Sequence, residues 1–179
     1  GRLPVTFYRN DNTLPDFQDY SMDNRTYKFF KERPLYPFGF GLSYTTFAYS
    51  GMQTDQETFA PGEDVTVKVK VKNTGEVASD EIAECYLRDE EASVRVPIHK
   101  LCGMQRITLL PGEEKTVAFT VDSRQFAVVN EAGERVFEPG AFTIFAGGCQ
   151  PEPYSEELSG SRAASVRVTM TGQEERDGE

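Results

Sequence analysis

Apart from its carboxylates, the chain offers few side chains for acid–base, nucleophilic or metal chemistry: one histidine, His99, and three cysteines, Cys85, Cys102 and Cys149. A zinc site needs three or four ligands at short spacings, but only Cys102 lies close to His99 in the sequence. A Ser-His-Asp arrangement would need an activated hydroxyl beside His99, and the sequence indicates none. We therefore expect no metal site and no cofactor.

Carboxylates are abundant, because 29 acidic residues face 19 basic ones and give a formal net charge of −10. With so many acids, proximity in the sequence does not identify a catalytic pair. The runs Asp89–Glu91 and Glu174–Glu175 are interpreted as solvated surface charge. The acidic balance argues against nucleic-acid binding, which depends on Lys and Arg, and against anionic membrane surfaces. No apolar run approaches the roughly 20 residues that span a bilayer.

The odd number and wide spacing of the cysteines make a poor disulfide framework. We interpret them as buried or half-buried thiols of a reducing compartment, which favours a cytoplasmic location. One disulfide plus a free thiol is the alternative. Strand alternation predicts that Cys85 points inward, whereas Cys102 and Cys149 should lie at turns or strand ends and react sooner. The location stays open, because residue 1 need not be the natural N-terminus.

The first 45 residues are aromatic, contain several prolines and show no sustained hydrophobic period. Short extended pieces are predicted only at Leu3–Tyr8 and Arg25–Phe30. More than forty residues with so little structure are unusual inside a compact domain. The segment is therefore expected to rest on a neighbouring structure and to expose apolar surface when that neighbour is absent.

Residues 34–47, the plug segment, are the most distinctive part of this region. Pro34 and Pro37 block regular helix and sheet pairing, and Gly39 and Gly41 permit backbone angles that are closed to other residues. The segment is nevertheless strongly apolar, which predicts an extended stretch packed against something larger. Its predicted interface residues are Tyr36, Phe38, Phe40, Leu42 and Tyr44.

From residue 45 onward the hydrophobic period is two. Val65, Val67, Val69 and Val71 alternate with threonine and lysine, as on a strand with one buried face. The same alternation recurs at 83–87, 117–121, 142–146 and 166–170. Pro-Gly pairs at 61–62, 111–112 and 139–140 suit type II turns. With 44–52 and 101–109 this gives about seven short strands, the pattern of an antiparallel β-sandwich. A hairpin tip is predicted at Asn130–Glu134, a long loop at Gln150–Arg162, and no helix of useful length.

Several motifs, in this order, resemble glycoside hydrolase family 3, the β-glucosidases and β-xylosidases. The most specific is Leu35–Phe47, which is similar to the segment that leads into the family's C-terminal domain. Further motifs are Pro61–Glu63, Lys72–Gly75, Tyr86–Asp89, Leu101–Arg106, Pro111–Glu113 and Pro139–Phe142. The sequence departs from the family pattern at Asn24 and Met104, where Gly and Phe are usual, and at Cys149, where Ser is usual. The resemblance covers residues 1 to about 148.

The resemblance implies an all-β, immunoglobulin/fibronectin-III-like sandwich at residues 46–171. Residues 1–45 would then be the end of a preceding α/β sandwich domain plus a linker, and 172–179 a flexible tail. In the family, the nucleophilic Asp and the acid/base Glu lie in domains before the position of Gly1, so no catalytic residue is expected here.

The implied function is to brace the catalytic domains of a parent enzyme, which would be the partners of this chain. The parent's substrate would be a β-linked oligosaccharide or aryl glycoside, either glucoside or xyloside. The alternatives are a carbohydrate-binding module or a protein-interaction module on the same scaffold. The absence of Trp disfavours the carbohydrate-binding module.

Arg25 and Tyr27 are the most interesting polar residues, because the resemblance places them in a linker that crosses the catalytic domains. A guanidinium group can hydrogen-bond sugar hydroxyls, and an aromatic ring can stack on a sugar. Packing at a domain interface is the other interpretation. Asn24-Arg25-Thr26 also matches the N-glycosylation pattern.

Overall fold

The structure, a computed structural model, describes residues 1–177 of the chain. Its strands are β1 (Phe47–Thr54), β2 (Thr58–Phe59), β3 (Val65–Asn73), β4 (Ser79–Asp89), β5 (Lys100–Leu109), β6 (Glu114–Val121), β7 (Val128–Val129), β8 (Arg135–Phe137), β9 (Gly140–Gly147), β10 (Ala164–Met170) and β11 (Glu175–Arg176). Two short helices, α1 (Thr26–Phe29) and α2 (Pro153–Ser159), and 3-10 turns at Asp11–Thr13 and Ser123–Gln125 complete the elements.

Within the described residues the strands form two main sheets and one small one. The main sheets have the orders β1-β3-β6 and β2-β10-β9-β4-β5, and the small sheet has the order β11-β8-β7. Paired strands run antiparallel, except that β2 and β10 are parallel. Both main sheets contribute to one apolar core. The predicted all-β sandwich is therefore confirmed.

The core lies between the main sheets and follows the predicted alternation. Val65, Val67, Val69 and Val71 on β3 are all 0% exposed, whereas the lysines between them are exposed. The facing sheet supplies Ala83, Cys85, Leu87, Phe142, Ile144, Ala146, Val168 and Met170. Burying this apolar face provides the main stabilisation of the domain.

Two of the three Pro-Gly turns have the predicted form. Gly62 and Gly112 have φ of +82° and +75°, and each turn closes with a hydrogen bond between its first and fourth residues. A glutamate completes each turn, because Glu63 accepts from the Ala60 amide and Glu113 from the Leu110 amide, both at 2.7 Å. The prediction for the third pair is wrong, since Gly140 has no positive φ and begins β9.

The N-terminal segment departs from its predicted extended pieces. Residues 3–8 form only one isolated bridge, between Phe7 and Tyr36, because Pro4 has no amide hydrogen to extend a ladder. Residues 26–29 form helix α1 instead of a strand. The chain enters α1 through positive φ angles at Asn24 and Thr26, 55° and 52°, which no periodicity analysis would suggest.

Two departures lie in the C-terminal third. Part of the predicted loop at 150–162 is helix α2, which begins at Pro153 and ends at Ser159, where Gly160 caps it with a left-handed φ of 67°. Within 172–179, where a flexible tail was expected, Glu175 and Arg176 pair with Phe137 and Val136. The predicted hairpin tip at 130–134 connects β7 and β8.

Candidate interdomain interface

The start of the chain pairs with the plug segment through main-chain hydrogen bonds. The Leu3 amide donates to the Phe40 carbonyl and the Gly39 amide to the Leu3 carbonyl, each at 2.9 Å. The Phe7 amide donates to the Tyr36 carbonyl, also at 2.9 Å. The Phe7 carbonyl in turn accepts from the Leu35 amide at 2.7 Å. The prolines and glycines of the plug segment prevent a regular strand, so the pairing is confined to the backbone around Leu3 and Phe7.

The five predicted interface residues fall into two groups. Phe38 stacks on Tyr27 with ring centroids 4.0 Å apart, and Phe40, which is buried, stacks on Tyr36 at 5.6 Å. Leu42 and Tyr44 instead lie 83% and 94% exposed. Phe38 and Phe40 thus anchor the segment to this chain, Tyr36 is partly exposed beside Phe40, and Leu42 and Tyr44 are left without cover.

Arg25 and Tyr27 both have structural partners within the chain. The Arg25 Nη2 donates to the carbonyls of Asp16 and Asp19, at 3.0 and 2.7 Å, and so fixes the loop before α1. The Tyr27 hydroxyl accepts a hydrogen bond from the Leu101 amide at 3.1 Å. Burial raises the pKa of Tyr27, which keeps the hydroxyl protonated.

Below the plug segment lies a buried carboxylate cluster, defined here as Arg2, Tyr49, Glu81, Glu84 and Tyr86. Arg2 Nη2 contacts Glu81 Oε2 at 2.6 Å, and the Tyr49 hydroxyl donates to Glu81 Oε1 at 2.7 Å. The Tyr86 hydroxyl donates to Glu84 Oε2 at 2.7 Å. Both glutamates are buried. Sequence reasoning missed the cluster, because an acid on a strand is normally taken to face water.

Gly39 explains one motif position of the plug segment. It has a φ of +78°, and a Cβ there would collide with the Glu84 carboxylate and lie 2.7 Å from the Tyr86 hydroxyl. Only glycine combines this backbone angle with such a close approach. The glycine of the Pro-Phe-Gly sequence therefore lets the plug segment lie directly on the carboxylate cluster.

The electrostatics of the cluster are dominated by burial. Desolvation raises the pKa of Glu84 to about 7, while the Tyr86 hydroxyl and Arg2 oppose the shift and the negative charge of Glu81 adds to it. Desolvation also raises the pKa of Tyr49 and of Tyr86 well above the usual range. Glu84 therefore titrates near neutral pH.

This shift predicts a pH dependence of stability. Because the pKa of Glu84 is about 7 when folded against a model value of 4.5, its protonation favours the folded state. This stabilisation is fully present below a pH of about 4.5 and is lost as the pH rises to about 7. The total loss in the free energy of unfolding is up to about 3 kcal/mol. Between pH 5 and 8 the wild type should lose more unfolding free energy in urea titrations than Glu84→Gln. The exposed Glu131→Gln variant is the control, and parallel pH profiles for all three proteins would contradict the assignment.

His99 and two of the cysteines, Cys85 and Cys102, have apolar or thiol neighbours within the described residues. Among residues 1–177 there is no group of three or more His, Cys, Asp or Glu side chains placed to hold a metal ion. His99 is buried against Phe145 in an edge-to-face contact, ring centroids 5.6 Å apart. The three thiols are free.

Among residues 1–177, neither of the two helices has the length and apolar character of a membrane span.

The exposed apolar surface is concentrated at the start of the chain. Ten of the fourteen exposed large hydrophobic side chains among the described residues lie within 1–45. They are Val5, Phe7, Leu14, Phe17, Tyr20, Met22, Leu35, Tyr36, Leu42 and Tyr44. We call these ten the exposed apolar face. Within this set Val5 and Met22 line one cavity, and Phe7, Tyr36 and Leu42 line another. Exposed hydrophobics that lie together in this way mark interaction surfaces, whereas single ones are ordinary.

Comparison with known proteins agrees with this architecture. Residues 81–150 match the fibronectin type III-like domain family. The chain is 43% identical over 147 residues to a β-xylosidase of Formosa agariphila, covering 82% of this chain and 20% of that protein. It is 42% identical over 139 residues to the thermostable β-glucosidase B of Acetivibrio thermocellus, covering 77% of this chain and 18% of that protein.

Solved structures give the same picture. The β-glucosidase EmGH1 of Erythrobacter marinus superposes with a TM-score of 0.77 at 34% identity, over 96% of this chain and 22% of that one. The chain thus spans about a fifth of the length of the curated relatives it matches. It is therefore a fibronectin type III-like domain, together with the segment that precedes it, of the kind found in the C-terminal region of glycoside hydrolase family 3.

Proposed function

We propose that this chain is the non-catalytic C-terminal part of a family 3 β-glycosidase and braces that enzyme's catalytic domains. The observation that carries the proposal is the exposed apolar face on a chain that spans about a fifth of its relatives' length. The partner domains would be those that precede residue 1 in the longer protein. Covering the exposed apolar face with them would remove its side chains from water.

The two sides of the N-terminal segment support this role. Its inner side is held by the carboxylate cluster and by Phe40, whereas Phe17 and Tyr44 are 93% and 94% exposed. An aromatic side chain buried in an interface contributes about 1.5–3 kcal/mol. Several such residues would hold two domains rigidly together.

We propose the same domain boundaries as the sequence predicted: residues 1–45 belong to the preceding domain and linker, 46–171 to the sandwich, and 172–179 to a tail in which Glu175 and Arg176 pair with β8. The start of β1 at Phe47 supports the first boundary. Arg25 and Tyr27 are assigned to the interface, not to substrate, because Arg25 Nη2 already binds the carbonyls of Asp16 and Asp19 and the Tyr27 hydroxyl already binds the Leu101 amide.

The substrate of the longer protein is proposed to be a terminal β-D-glucoside or β-D-xyloside, as a β-linked oligosaccharide or aryl glycoside. Relatives named for each activity are similar to this chain to nearly the same degree. The sandwich therefore supports no choice between the two sugars.

Enzyme assays test the proposal. The purified chain should not hydrolyse aryl β-glucosides or aryl β-xylosides above the buffer rate. In the protein extended upstream through its reading frame, Leu42→Ser with Tyr44→Ser should lower both melting temperature and activity. Leu110→Ser with Met104→Ser, two exposed hydrophobics outside the face, should change neither. Turnover by the isolated chain that one Asp or Glu substitution abolishes would overturn the proposal.

A further inference from the structure

Two of the three thiols are brought together by a β-bulge. Along the β4–β5 ladder, Tyr86 pairs with Leu101 but Cys85 pairs with Gly103, so Cys102 is an extra residue opposite Cys85. A bulge of this kind turns the side chain of its extra residue out of normal alternation. The Cys102 Sγ consequently lies 3.4 Å from the Cys85 Sγ and 3.2 Å from the Cys85 carbonyl.

The two thiols differ in their access to solvent. Cys85 is completely buried in the core, whereas Cys102 is half-buried on β5, which is the edge strand of its sheet. The hydrogen bond with Cys102, together with burial, raises the pKa of the Cys85 thiol, which therefore stays protonated. A reagent arriving from solvent would meet Cys102 first.

Packing holds the pair in place. Gly103 has no side chain, and a Cβ at that position would lie 3.0 Å from the Phe119 ring and 3.7 Å from the Cys85 Cβ. Phe119 from the facing sheet therefore closes over the bulge. A disulfide needs a sulfur separation of about 2.05 Å, so the two sulfurs must approach by about 1.4 Å for the bond to form.

We propose that Cys85 and Cys102 form a redox modification site, in which a peroxide oxidises Cys102 and Cys85 resolves it as an intramolecular disulfide. In the first step the Cys102 thiolate attacks one peroxide oxygen, giving Cys102 sulfenic acid and, after protonation, one water. In the second step the Cys85 sulfur attacks the Cys102 sulfur, and the sulfenic hydroxyl leaves with the Cys85 proton as a second water. Two thiols are oxidised and one peroxide is reduced.

Cys149 provides an internal comparison. It was expected to react as Cys102 does, because it follows the end of β9, but the structure buries it. Its Sγ lies 3.4 Å from the Ser159 hydroxyl, and burial raises the pKa of its thiol to about 11. Cys149 should therefore remain a free thiol under conditions that oxidise the Cys85–Cys102 pair.

The test uses the intact reduced chain, treated with hydrogen peroxide, blocked with iodoacetamide and digested with trypsin without reduction. Cleavage after lysine and arginine places Cys85 in peptide 73–88 and Cys102 in peptide 101–106. We expect a disulfide to join these two peptides, so that the mass of the linked species is about 2 Da below the sum of the two peptide masses. Dithiothreitol should separate them again. Cys149 should carry the alkyl group.

Three variants distinguish the proposed pair from unspecific oxidation. Cys149→Ser should still form the link, and Cys85→Ala should leave a Cys102 sulfenic acid that dimedone traps. In Cys102→Ser, peroxide should oxidise the Cys85 thiol at least tenfold more slowly than it does in the wild type. Wild-type protein in which Cys102 becomes sulfinic acid while Cys85 stays free, or in which the link forms to Cys149, would overturn the proposal.

Discussion

Val69→Asp is expected to unfold the sandwich or to lower its free energy of unfolding by about 4 kcal/mol or more. Val69 is 0% exposed at the centre of β3 and pairs with Val117 on β6. A carboxylate there would be buried between two apolar sheets without a partner, and ionised carboxylates are very costly to remove from water. Urea denaturation followed by circular dichroism measures the loss.

Lys68→Asp is the matched control, because it places the same acid one residue earlier on the exposed side of β3. Surface substitutions of this kind usually stay within about 0.5 kcal/mol. If both variants unfold at the same urea concentration as the wild type, the orientation assigned to β3 is wrong. The assignment of the sandwich core would then be wrong as well.

Arg2→Ala is expected to lower the free energy of unfolding by about 3–5 kcal/mol. Arg2 and Glu81 are nearly buried, with side chains 12% and 4% exposed, and their charged atoms lie 2.6 Å apart. Removing the arginine leaves the Glu81 carboxylate without its counter-charge in the interior. The same change should release the first residues from the plug segment, because Arg2 also donates to the Gly41 carbonyl at 3.5 Å.

Arg33→Ala is the control for this prediction. Arg33 pairs with Glu157 at the same 2.6 Å, but both side chains are more than half exposed, and exposed pairs contribute about 0–1 kcal/mol. The double variant Arg2→Leu with Glu81→Leu should recover part of the loss, since no buried charge is left alone. Equal effects of Arg2→Ala and Arg33→Ala would show that the Arg2–Glu81 pair is not buried in solution.

The sandwich could be predicted from sequence because strands such as β3 and β6 have one apolar and one polar face. The alternation at Val65–Val71 follows from that geometry alone, and the Pro-Gly-Glu turns follow from local backbone preferences. Both are properties of a few neighbouring residues. They needed no knowledge of tertiary contacts.

The carboxylate cluster could not be predicted, because it depends on residues 2, 49, 81, 84 and 86, which come together only in the folded chain. Sequence alternation treats the second face of β4 as solvated, but the plug segment covers it at Glu84. The pairing of Cys102 with Cys85 was missed for a related reason. A single bulge shifts the register between β4 and β5, and no sequence period records it.

The plug segment was only partly predictable. Its composition indicated apolar packing, and Phe40 is buried as that suggests. Whether Leu42 and Tyr44 face this chain or another surface is a question of global geometry, which composition cannot answer. The structure leaves both exposed, and that exposure is the basis of the proposed interface.

Hydrogen exchange tests the central claim most directly, by comparing the isolated chain with the protein extended upstream through its reading frame. Amides in residues 14–22 and 41–46, which carry the most exposed part of the apolar face, should exchange at least about tenfold more slowly in the extended protein. The turn at 110–113, which lies away from the face, should exchange equally in both. Identical exchange at 14–22 and 41–46 would show that no domain covers the face and would contradict the account.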